Sequence, residues 1–146
     1  MSVTRIGELD ARQCRELLAS GEVGRVALCT ATGPQIVPVS YVVDGDSLVF
    51  RTTPYGVLGR HASRGRVAFE VDEIDRDSRV GWSVVASGHA RVVEDPAEVA
   101  LIRAFRDPVP WAEGSRLLYV RLVWHTLTGR RVRGRGGEAA RPVRTT

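Results

Sequence analysis

Apolar and polar residues alternate with a period of two along most of this chain, which predicts half-buried strands rather than helices. Val26, Leu28 and Thr30 fall on one face and Arg25, Ala27 and Cys29 on the other, and Thr32-Gly33-Pro34 then turns the chain. A β-branched run over 35–43 predicts the returning strand of a hairpin. It ends in Asp44-Gly45-Asp46, where a glycine supplies the positive φ that a tight turn demands. A third strand is predicted over 47–52 and a fourth over 66–74, with Val67, Phe69 and Val71 opposed to Ala68, Glu70 and Asp72. The segment 81–94 predicts a fifth strand with a bulge at Gly88, and 117–124 and 127–133 predict two more.

Three segments lose this alternation and read as short helices. Asp10 followed three residues later by Gln13 is a capping-box start, Cys14, Leu17 and Leu18 form one apolar stripe, and Gly21 closes the helix. Pro54 opens a short helix over 54–63, and Asp95-Pro96 opens another with Val99, Leu101, Ile102 and Phe105 as its apolar face. The Pro-rich stretch 106–114, which holds Trp111, predicts a loop. Residues 134–146 are too polar and Gly-rich to build a packed face, so a folded domain over 1–133 and a mobile tail are expected. The fold class is mainly β, with about six to seven predominantly antiparallel strands and a few short helices. The pattern alone leaves a closed barrel, a sandwich and an OB-like module open.

Charge changes the picture less than its total suggests. The chain carries +4 overall, but its last 17 residues hold six arginines against the single Glu138, which leaves −1 on residues 1–129. The folded body is therefore nearly neutral, and no nucleic-acid partner is expected. No apolar run approaches the roughly 20 residues of a membrane helix, and the first ten residues lack the apolar stretch of a secretory signal. A cytoplasmic protein with no membrane partner is expected. Cys14 and Cys29 have no nearby partner in sequence, so both read as reduced core thiols.

No dedicated catalytic side chain stands out. His61, His89 and His125 show neither H-x-x-x-H nor Cys/His spacing, and no metal site is expected. Gly81-Trp82-Ser83-Val84-Val85 is not a G-x-S-x-G elbow, and no G-x-x-x-x-G-K-[ST] loop is present. The acidic run Glu70, Asp72, Glu73 and Asp75 reads as a solvated rim.

Six blocks in order carry a family likeness: Gly24-Arg25-Val26-Ala27, Pro34-Gln35-Ile36-Val37-Pro38-Val39-Ser40-Tyr41, Leu48-Val49-Phe50-Arg51-Thr52, Val67-Ala68-Phe69-Glu70-Val71-Asp72, Gly81-Trp82-Ser83-Val84-Val85 and Leu127-Thr128-Gly129-Arg130-Arg131-Val132. With this spacing the chain resembles the small actinobacterial proteins of the pyridoxamine 5′-phosphate oxidase-like family, over roughly residues 9–132. The resemblance implies an FMN-binding split β-barrel that works as a homodimer, with the flavin ring at the interface. It puts Val39, Ser40 and Tyr41 on the strand lining the ring, Arg51, Thr52 and Thr53 at the strand end facing the ribityl chain and phosphate, and Trp82 and Ser83 beside the ring. Short hydroxyls and a guanidinium fork suit a phosphate, and the helix start near Gly56 adds backbone N–H groups.

Two departures from the family pattern bear on this reading. Many relatives carry a lysine two residues after that glycine, where this chain has Leu58, so Arg51 or Arg60 must take the phosphate. The strand end Thr128-Gly129-Arg130-Arg131-Val132 matches the family's C-terminal Arg/His signature only in basic character, which argues against oxidation of a B6 vitamer. The expected function is an FMN-dependent oxidoreductase acting on a small organic molecule. Alternatives on the same fold are a deazaflavin-dependent reductase and a non-enzymatic carrier or sensor of flavin or haem, with His61 or His89 as the axial candidates for haem.

Overall fold

Six strands, every neighbouring pair antiparallel, close into a barrel in the order β1-β2-β3-β6-β5-β4. They are β1 (Val23–Thr30), β2 (Gly33–Asp44), β3 (Ser47–Thr52), β4 (Arg66–Ile74), β5 (Val80–Val92) and β6 (Leu118–Arg133). Three helices accompany them: α1 (Ala11–Ser20), α2 (Val57–His61), which runs into a 3₁₀ turn at Ala62–Arg64, and α3 (Pro96–Phe105). The computed structural model describes residues 7–110, 114 and 116–133. The tail expected over 134–146 and the loop residue Trp111 lie outside the described residues.

The barrel interior is filled from all six strands, with Val26, Tyr41, Phe50, Phe69, Val84 and Leu122 all buried. Phe69 meets Tyr41 edge-on at 4.5 Å between ring centroids, a favoured aromatic geometry. Helix α1 closes one side. Asp10 accepts from the Gln13 N–H at 2.8 Å, Gln13 accepts from the Asp10 N–H at 3.0 Å, and the apolar stripe then sinks Cys14 and Leu18 into the core. Helix α3 covers the outer face of β3. Asp95 caps it, Pro96 sits in its first turn, and Ile102 packs with Val49, Val93 and Tyr119 in a second, smaller core. Strand β3 is thus buried on both faces, which explains its unbroken apolar run Leu48-Val49-Phe50.

Several expectations are corrected. The two strands expected over 117–124 and 127–133 are one 16-residue strand, β6, carried past a register shift opposite Ser87 and Gly88. Helix α2 begins after Gly56 rather than at Pro54. Leu101 and Phe105 are 60% and 78% exposed, so only Ile102 and partly Val99 of the expected α3 face are packed. Cys29 points outward from β1 and is exposed; only Cys14 is a core thiol. Gly21 closes α1 as expected, in extended backbone, and a side chain there would collide with the Tyr41 hydroxyl. Among the described residues no helix is long and apolar enough to cross a membrane.

Candidate functional site

Strand β2 serves two neighbours in succession, and the site lies where it changes partner. Its first part pairs with β1 as far as Val23↔Ser40, and its second part pairs with β3 from Tyr41↔Phe50 onward. Continuing that second register would set Ser40 opposite Arg51 and Val39 opposite Thr52. Those pairs do not form. Val39 and Ser40 stay with β1, while Arg51 and Thr52 pair with Tyr119 and Leu118 of β6. The sheet splits there, and a cavity of about 380 Å³ opens in the split. Val23, Val37, Val39 and Leu58 supply apolar walls, and Ser40, Thr52, Arg51 and Arg116 supply the polar groups.

The two arginines differ in state. Arg51 is held on three sides: Nε donates to the Arg116 carbonyl at 3.0 Å, the guanidinium lies 5.1 Å from the Tyr119 ring centroid, and Nη1 stands 3.6 Å from Asp107. The last distance is an ion pair too long for a hydrogen bond. Asp107 is itself fixed by the buried Tyr119 hydroxyl, which donates to it at 2.9 Å, and Arg103 donates to the same hydroxyl at 3.3 Å. Among the described residues no hydrogen-bond or ion-pair partner meets the Arg116 side chain, and it lines the cavity. Arg51 is therefore a pre-positioned, partly neutralised cation, and Arg116 is, among the described residues, the cavity's cation without a counter-charge.

The expected site residues divide. Val39, Ser40, Arg51 and Thr52 are brought together around one cavity. Tyr41 is not there. It is buried inside the barrel, its hydroxyl donates to the Leu18 carbonyl, and burial pushes its pKa up, so it remains a proton donor anchoring α1. Trp82 and Ser83, on β5, border two other depressions, one with Glu73, Ile74 and Arg131 and one with Leu9, Thr128 and Arg130. Thr53 and Gly56 form the turn into α2, where Gly56 N–H donates to the Thr53 carbonyl at 3.4 Å. Arg60 is exposed on α2 and does not line the cavity. Leu58, in the place the resemblance gives to lysine, faces the cavity as an apolar wall. Arg116 and Asp107 are missing from the sequence reading, because only folding brings the Arg116 carbonyl and the Asp107 carboxylate to the strand-end Arg51.

An antiparallel barrel split between two adjacent strands over an arginine-bearing cavity defines the split-barrel class. The chain belongs to the pyridoxamine 5′-phosphate oxidase family, whose model matches residues 10–131. It is 35% identical over 136 residues to an uncharacterized protein of Mycobacterium tuberculosis, covering 90% of this chain and 88% of that one. Among solved structures it is similar to an FAD binding protein from Mycobacterium smegmatis, with 31% identity, a TM-score of 0.74, and 88% and 99% of the two chains covered. An FAD-binding protein from Mesorhizobium loti, at 23% identity and a TM-score of 0.70 over 87% and 96% of the chains, shares the fold.

Proposed function

We propose that the split between β2 and β3 holds a flavin nucleotide by its phosphate, and that the protein is a flavin-dependent oxidoreductase acting on a small organic molecule. The single observation that carries this reading is the cavity itself: apolar walls, two short hydroxyls, and Arg116, without a side-chain partner among the described residues, beside a braced Arg51. That donor set fits a ligand with an apolar body and an anionic end. Arg116 takes the phosphate, Arg51 adds a second cation in a fixed orientation, Ser40 and Thr52 offer hydroxyls, and Leu58 and Val39 exclude water. A bound flavin supplies the hydride and electron chemistry, so a protein of this kind needs no side-chain nucleophile.

FMN is the cofactor that the family resemblance implies, and these residues suit its phosphate. FAD is the second reading, favoured by the 31% identical FAD binding protein; both present a phosphate ester on the ribityl chain. Mass analysis of the ligand released from purified protein separates them. The protein is further proposed to act as a homodimer. Ile36, Val57, Val109 and Leu117 are exposed, and each adjoins a cavity-lining residue in the chain, which gives the cavity an apolar rim suited to a second copy.

Titration with FMN, followed by quenching of flavin fluorescence, tests the arginine assignment. Arg116→Ala should weaken FMN binding about ten- to hundredfold, the loss of roughly 1.5–3 kcal/mol expected of a charge-assisted bond. Arg51→Ala should weaken it as well. Unchanged affinity in both variants would remove the phosphate from this cavity.

A further inference from the structure

Two histidines far apart in sequence meet on the outer face of the barrel. His89 of β5 and His125 of β6 place Nδ1 and Nε2 only 2.9 Å apart, with ring centroids at 5.1 Å and planes inclined at 70°. Both side chains are exposed. A regular ladder would not make this contact. Residues Gly88 and His89 pair with Trp124 and Val123, while Ser87 pairs with Thr126, so His125 is the extra residue of a β-bulge. The bulge depends on a residue without a side chain, since a Cβ on Gly88 would lie 1.9 Å from the Val123 carbonyl oxygen and 2.8 Å from the Trp124 Cα. Bulges re-aim side chains, and this one aims an imidazole at its cross-strand neighbour.

We propose that His89 and His125 form a bidentate site for a borderline divalent transition cation of the Ni²⁺, Cu²⁺ or Zn²⁺ type, with water completing the coordination shell. Imidazole nitrogen binds such ions at about 2.0–2.1 Å, and two adjacent ligands at a right angle are then about 2.8–3.0 Å apart, a separation the pair already has; the rings now meet end to end as a hydrogen-bonded pair, and each exposed ring turns on its side chain to aim its lone pair at a shared ion. Oxygen-seeking Mg²⁺ and Ca²⁺ are excluded by the ligand type. In the metal-free pair one ring donates to the other. For chelation the proton on the shared edge moves to the far nitrogen of its own ring, so a neutral pair binds the ion without net proton release. Among the described residues no third His, Cys, Asp or Glu joins a metal-holding group, and Arg66 lies opposite His89 on β4. The site is thus open, water-rich and modest in affinity rather than a closed structural centre.

The proposal does not rest on flavin binding and is tested apart from it. The full-length protein, carrying no histidine tag, is titrated with Ni²⁺ by calorimetry; Ni²⁺ is chosen because Cu²⁺ would oxidise the exposed Cys29. One ion per chain should bind, and Ni²⁺ should raise the melting temperature. His89→Ala and His125→Ala should each weaken binding at least tenfold and abolish the thermal shift, with metal-free melting unchanged because both rings are exposed. His61→Ala should leave binding intact. The proposal fails if wild type binds no Ni²⁺, if either single variant binds as wild type does, or if His61→Ala removes the site.

Discussion

Glu98 ties helix α3 to the barrel, and its ionisation is a stability switch. It accepts from Arg91 at 2.6 and 3.1 Å and from Arg121 at 3.0 Å, and Arg121, nearly buried, also donates to Asp44 at 2.9 Å and Ser47 at 2.7 Å. The hydrogen bonds from Arg91 and then Arg121, opposed by partial burial, hold the Glu98 carboxyl below the ordinary glutamate range. A carboxylate depressed in the fold contributes stability that is complete above the unfolded value of about 4.3 and lost as pH falls through its lower folded value. Glu98→Gln should therefore be less stable than wild type at neutral pH, and the difference should narrow below about pH 4 in thermal melts at stepped pH. A constant difference down to pH 3 would contradict this. Glu70 has the opposite sign: burial first, then Asp72, pushes its carboxyl up despite Arg25, so protonation there favours the folded chain as pH falls. At this scale the sequence was informative where a residue's state is set locally, as with the Asp10 and Gln13 cap. It was silent on Arg116 and Asp107, whose roles arise from contacts across the sheet.

The elements show the same division between local and long-range causes. Strand β4 occupies the residues expected from its alternation, and the bulge anticipated at Gly88 is where the register shifts. What the bulge does was not legible, because its extra residue lies on the other strand; His125 was read as a break between two strands and is instead the residue that lets β6 continue. Gly88→Ala tests this element. Its Cβ would press on backbone atoms of β6 that cannot rotate away, so a loss of about 1–3 kcal/mol in urea unfolding is expected, as for other overpacked sites. A neutral effect would mean that the two strands can separate freely there. Helix α3 had a legible start but a misread face. Ile102 alone is deeply packed, so Ile102→Ala should cost about 2–5 kcal/mol, whereas Leu101→Ala, at a 60% exposed position, should stay within about 0.5 kcal/mol of wild type.

For the whole molecule, the barrel class was legible only through six ordered blocks of sequence, since apolar alternation alone also suits sandwiches and OB-like modules. The split was not legible from alternation at all, because it is a mismatch between two registers of one strand, β2 with β1 and β2 with β3. The homodimer proposed here is checked by light scattering, which should return about twice the 16.0 kDa chain mass; a monomer at micromolar concentration would leave the exposed rim at Ile36, Val57, Val109 and Leu117 unexplained. The split between β2 and β3 is proposed to recognise a flavin by its phosphate. Parallel titrations of the wild-type protein with FMN and with riboflavin, which has the same ring and ribityl chain but no phosphate, test it most directly. FMN should bind at least tenfold more tightly, and the advantage should shrink in Arg116→Ala. Equal binding of FMN and riboflavin by the wild type would contradict it.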